Sequence, residues 1–391
     1  LTAASEISDS GGQIKSSIEA KTNRFSSGIA EVDKILKDDI QINGALSRNP
    51  EGTLNISDLT VLAHPVTLTA DALLQSNQHL SANWTVNLPD MEAIAQAIDQ
   101  PVSGQLKLVG QATGELDNMI VNAQLESPQI AFRDIKAKNI KLAVTGQDLT
   151  NQPNGSINFR GDVQGLLTQL DTSYRLIPQE AIRVSGLDIA LPGVDLNGNL
   201  SHSLASGLTK GTLRGEIVEL ATIAHRFDQN VSGKVKIQTT LLEEKGQSLN
   251  FSIDGSDLSI EQGETITLSK AGLTGQVNNI LEAPEVNSQV ALTDLEAGGG
   301  QLASLNGNAN GTLTDLSWSG KTVGHFMEPV KADLAGHWSQ GDTQGELSVS
   351  QLKASFGNTP VQIVKPLKLT LAQDETRISD LDMRIREGQI Q

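Results

Sequence analysis

Along most of this chain apolar and polar residues alternate one by one, and that period of two constrains the fold more than any other feature of the sequence. Successive side chains of an extended strand point to opposite faces, so Leu80, Ala82, Trp84, Val86 and Leu88 all fall on one side. The pattern returns at Leu106 and Leu108, at Val121, Ala123 and Leu125, and at Ile140, Leu142 and Val144. It recurs at Val194, Leu196 and Leu200, at Val235 and Ile237, at Leu249, Phe251 and Ile253, and at Leu367, Leu369 and Leu371. Gly, Pro, Asn and Asp close the runs, which is what antiparallel strands joined by tight turns require; at this spacing the chain holds about 25 strands.

Three stretches abandon that period for one of three or four. Ile29, Val32, Leu36 and Ile40 form the first, Met91, Ile94, Ala95 and Ile98 the second, and Leu220, Ile223, Ala224 and Phe227 the third. They predict short amphipathic helices near 29–38, 90–99 and 217–227, too short to be stable unless docked on the sheet. Two of them belong to a repeat. Met91 to Gly104 (MEAIAQAIDQPVSG) and Leu220 to Gly233 (LATIAHRFDQNVSG) agree at seven of fourteen positions with an offset of 129. Ser57 to Ala70 pairs with Ser185 to Gly198 at an offset of 128, which defines approximate repeats 57–156 and 185–284 within one continuous segment 1–391. Such repetition lets a sheet grow along one axis.

Composition removes several classes of function. The net charge is −17, with 29 Lys and Arg against 46 Asp and Glu, and a surface of that sign repels nucleic acid. There is no cysteine, so disulfides, thiol catalysis and Cys-ligated zinc are excluded. No apolar run approaches the roughly 18 residues of a membrane-spanning helix. The chain begins at Leu1 and stops at Gln391 inside an apparent strand, and so reads as a fragment whose anchor or signal would lie elsewhere.

The scan for catalytic and metal sites predicts none, and no cofactor. The six histidines are scattered, and none shows the spacing that presents two imidazoles on one helix face. Gly320-Lys321-Thr322 has the end of a phosphate-binding loop, but Asp315 stands where the first glycine is needed. No Gly-x-Ser-x-Gly elbow exists. Gly298-Gly299-Gly300 lacks the dinucleotide pattern, and pairs such as Gly110–Gly114 and Gly307–Gly311 read as bend positions between strands. The sequence predicts a protein that is not an enzyme.

What remains is an aliphatic face that three short helices cannot cover. A second sheet or a closed solenoid, a lipid bilayer around a barrel, or apolar ligands in an open groove would each cover it. The barrel is disfavoured: 11 aromatic residues cannot build two girdles, and docked helices and a long repeat are foreign to hairpin barrels.

The Pro89-Asp90 pair with its short helix, then Pro101 to Leu116 (PVSGQLKLVGQATGEL), Ser127 to Leu149 (SPQIAFRDIKAKNIKLAVTGQDL) and Asn358 to Ile385 carry a resemblance. In order and repeat length they resemble the AsmA-like group of bridge-type lipid-transfer proteins, and within it the TamB family, the inner-membrane subunit of the bacterial translocation and assembly module. The resemblance covers essentially the whole chain. It implies a long twisted antiparallel sheet curled into a U-shaped groove, the β-taco, in the Gram-negative periplasm. It implies movement of phospholipids between inner and outer membranes, support of outer-membrane biogenesis, and an outer-membrane barrel partner (TamA-like) met through regions outside this segment. The parent would be anchored in the inner membrane by a segment absent here. In such a groove the lining expected to meet phospholipid acyl chains is Leu106, Leu108, Val121, Leu125, Leu142, Val235, Ile237, Phe251, Leu369 and Leu371. The alternative from another class is a chaperone or scaffold that assembles outer-membrane barrel or autotransporter strands by β-augmentation.

Overall fold

The computed structural model describes residues 2–10, 12–22, 39–92, 95, 99–225, 229–244, 246–262, 264–341, 344–372, 376–379, 382–386 and 388–390. Strands make up 77% and helix 2%, so the fold is mainly β, and the sheet is antiparallel, curled and not closed into a barrel. The described residues form 28 strands. Two compact units divide the chain, Leu1–Pro192 and Gly193–Gln391.

In the first unit the strands follow one another as an antiparallel meander, each hydrogen-bonded to the next in sequence, from Thr2–Ser10 to Ala181–Leu191. One short strand departs from that order: Val102–Gly104 pairs with the far end of Asn118–Phe132, while Leu106–Glu115 pairs with His79–Leu88 on one side and Asn118–Phe132 on the other. In the second unit the meander runs from Val194–Ser203 to Gln344–Phe356 and then forks. Thr359–Ile363 pairs with one end of Gln344–Phe356, and Leu367–Ala372 pairs with the other.

The expected helix near 29–38 lies outside the described residues. At 90–99 the described positions Glu92 and Ala95 are helical, and near 217–227 a helix spans Ala221–Ala224. The two inserts are tied to their sheets in the same way, 129 residues apart. Met91 N–H donates to Gly104 O (2.8 Å) and Gln100 N–H to Ala95 O (3.1 Å); Leu220 N–H donates to Gly233 O (2.9 Å) and Gln229 N–H to Ala224 O (3.0 Å). A four-residue helix has no stability of its own, so these anchors hold it. Gly104 and Gly233 adopt φ of +123° and +124°, a region open to glycine.

There is little closed core. The buried hydrophobic side chains among the described residues are Ile40, Ala63, Leu88, Val102, Ala112, Ile140, Ala181 and Ala224, and half of these are alanines. Most aliphatic residues of the strands are half-buried instead of enclosed.

Candidate functional site

The antiparallel register converts the alternation of single strands into continuous lanes. In the first unit Ile42, Val61, Leu68, Val86, Leu108, Leu125, Leu142, Phe159, Leu170 and Ile189 face one another directly across ten successively paired strands. No glycine or polar residue interrupts the row. Every member is half-buried. Nine strand spacings of about 4.8 Å make a lane about 43 Å long, more than the roughly 30 Å hydrocarbon thickness of a bilayer.

Charge is confined to the other face. Lys107 stands between Leu106 and Leu108, and its row continues in register through Glu126, Lys141 and Arg160. All four are exposed. Ion pairs bridge strands on that side: Lys141–Glu126 at 3.9 Å, Lys236–Glu216 at 3.4 Å and Lys368–Glu346 at 3.1 Å. Such exposed pairs contribute little stability, but their placement leaves the aliphatic face uncharged along these strands. At one rim of the second unit, hydrogen bonds from Lys210 (2.9 Å) and Ser206 (3.1 Å) hold the Glu243 carboxyl below its ordinary pKa.

Of the ten residues expected to line a groove, Leu108, Leu125 and Leu142 are consecutive members of the long lane. Leu106 opposes the buried Leu88 one step along the strand, and Val121 lies on the same face between Ala112 and Gly146. In the second unit Ile237 opposes Gly215 and Ile253, Val235 opposes Ile217 and Gly255, and Phe251 opposes Thr239 and Gly275. Leu369 opposes Leu347 and Ile378, and Leu371 opposes Gly345 and Thr376 at the sheet's forked end. Nine of the ten are half-buried, and Leu371 is 39% exposed.

Sequence reasoning left out most of the lane, including Val61, Leu68, Phe159, Leu170 and Ile189. Hairpin turns fix register, so counting outward from each turn would have aligned them. It also missed what the aromatics do. Trp84 lies over Gly110, Trp318 over Gly336 and Trp338 over Gly345, and in each case a Cβ on the glycine would collide with the indole. Phe251 caps Gly275 in the same way. These rings lie flat on the aliphatic floor, where alternation reads them simply as apolar.

Among the described residues no group of three or more His, Asp or Glu is placed to hold a metal ion, and no helix is long and apolar enough to cross a membrane. Comparison with protein-family models, with curated proteins and with solved structures finds no match for this chain.

Proposed function

We propose that this chain is a periplasmic segment of a bridge-like protein that conducts phospholipids between inner and outer membranes along its aliphatic groove, and so supports outer-membrane biogenesis. The observation that carries the reading is the uninterrupted lane from Ile42 to Ile189, half-buried and uncharged, backed by a charged face. Moving an acyl chain from water onto such a lane gains about 0.8 kcal/mol per CH₂, while moving it from a bilayer gains close to nothing. A lipid therefore avoids solvent without being trapped, and its head group stays hydrated at the open side. The sequence resemblance to AsmA-like bridge proteins supports the same reading.

Strand augmentation of barrel proteins needs unpaired edges, and from Gln13–Thr22 through Leu166–Ile177 the long strands of the first unit are paired on both sides. Among the described residues of that unit the edge it could use is Thr2–Ser10, which pairs on one side, whereas the aliphatic lane extends over ten strands.

The test introduces Leu108→Asp and Ile237→Asp separately and measures both folding and photo-crosslinking to phospholipid. A charge on an open lane still reaches water, so the chain stays folded, while an acyl chain covering that charge must desolvate it at a cost of several kcal/mol. Loss of lipid crosslinks from a folded chain is the expected result. Undiminished crosslinking, or crosslinks to nascent barrel strands alone, contradicts the proposal.

A further inference from the structure

The aliphatic face of the second unit has a hollow in its floor. The row Leu273, Val290, Gly307, Gly320, Leu334 places two glycines side by side on neighbouring strands. With Leu305 and Trp318 at its sides they open a cavity of about 380 Å³ on the aliphatic face. The backbone does not require glycine at 320. Its φ is not in the left-handed region, and a Cβ there would meet only Asn306 O at 3.5 Å and Gly307 Cα at 3.9 Å. What glycine contributes at this position is space on that face.

The chemistry of the lining selects the occupant. The side chain of Lys321 projects from the opposite face, the Thr322 hydroxyl is already donated to Ser304 O at 2.9 Å, and Trp318 Nε1 has no accessible surface from which to reach a ligand, so the polar side chain left on this face of the lining is the Ser288 hydroxyl. A sugar, head group or charged ligand would lose its hydration here with one hydroxyl to replace it. A peptide strand has no backbone partner either, because the strands that form the hollow are paired on both sides. We propose that the hollow at Gly307 and Gly320 is a holding station for one acyl chain of a phospholipid, a discrete site of higher occupancy on the aliphatic face of the second unit. This rests on the conduit reading and goes further by assigning a fixed place where a chain pauses.

The experiment uses Trp318 as the reporter. In the full chain carrying Trp84→Phe and Trp338→Phe, vesicles of phosphatidylcholine brominated at mid-chain should quench Trp318 fluorescence. Adding Gly320→Leu, which fills the hollow, should reduce that quenching to the level given by unbrominated vesicles. In a chain that keeps only Trp84, quenching should be the same with and without Gly320→Leu. Circular dichroism confirms the fold of each variant, and Ala309→Leu, which fills the hollow from a neighbouring strand, replaces Gly320→Leu should that variant misfold. Quenching of Trp84 but not Trp318 in the unfilled chains, or Trp318 quenching that survives filling, overturns the station and leaves the conduit standing. Absence of quenching at both tryptophans overturns the conduit and the station with it.

Discussion

At the scale of single residues, glycines in this sheet have opposite roles that only their cross-strand neighbours distinguish. Gly110 lies beneath Trp84, so a methyl group there forces the indole out of place, and Gly110→Ala should destabilise the first unit by about 1–3 kcal/mol. Gly320 has open space above it, so Gly320→Ala should be neutral or stabilise by up to about 1 kcal/mol through the unfolded state. Urea unfolding of the two variants should shift in opposite directions, or only for Gly110→Ala. In the sequence both are glycines within alternating runs, and nothing local separates them. At the rim, the hydrogen bonds that lower the Glu243 pKa contribute stability that is present above the ordinary carboxylate range and lost as pH falls through the lowered value. Lys210→Met should return that pKa toward its ordinary value, as read by carboxyl NMR titration.

At the scale of elements, what was legible and what was not follow from one geometric fact. Alternation is local, so strands such as His79–Leu88 and Leu106–Glu115 can be read directly. Register and phase are not local. Asn139, at φ +52°, sits where the ladder between Ile135–Gln147 and Asn154–Val163 shifts, so the alternation changes phase within a single strand. Pro128 reads as a strand terminator, yet Asn118–Phe132 runs through it: the residue falls where the ladders on both sides are interrupted, and its missing N–H leaves no bond unmade. The inserts were visible as a repeated pattern because their anchors recur with it. At Gly233 a Cβ would approach Asp257 O to 2.8 Å in a backbone conformation unfavourable for other residues. Gly233→Ala should therefore cost about 1–3 kcal/mol and raise the hydrogen-exchange rate of Leu220 N–H, whose acceptor is Gly233 O. Unchanged protection there would contradict the anchoring described for the insert.

At the scale of the whole molecule, the account turns on an aliphatic face left open by a chain that could have closed it. The sequence supplied the face and the excess of acidic residues, and it left a closed solenoid and an open groove as competing outcomes. Half-burial of Leu108, Leu125, Leu142, Ile237 and Phe251, with half of the few buried apolar side chains being alanines, favours the groove. Packing detail of this kind depends on what lies opposite each strand, which no single run of residues records. The most direct test of the central claim is a photo-crosslinker placed singly at positions 106, 107, 108, 109 and 111 in membranes containing phospholipid; position 110 is left as glycine because Trp84 lies over it. The account predicts lipid adducts that alternate along the strand, strong at 106 and 108 and absent at 107, 109 and 111. Position 109 is decisive, because Val109 is apolar and 43% exposed but lies on the charged face. Adducts at 109 equal to those at 108, or none at any of the five positions, would contradict a lipid path along this face.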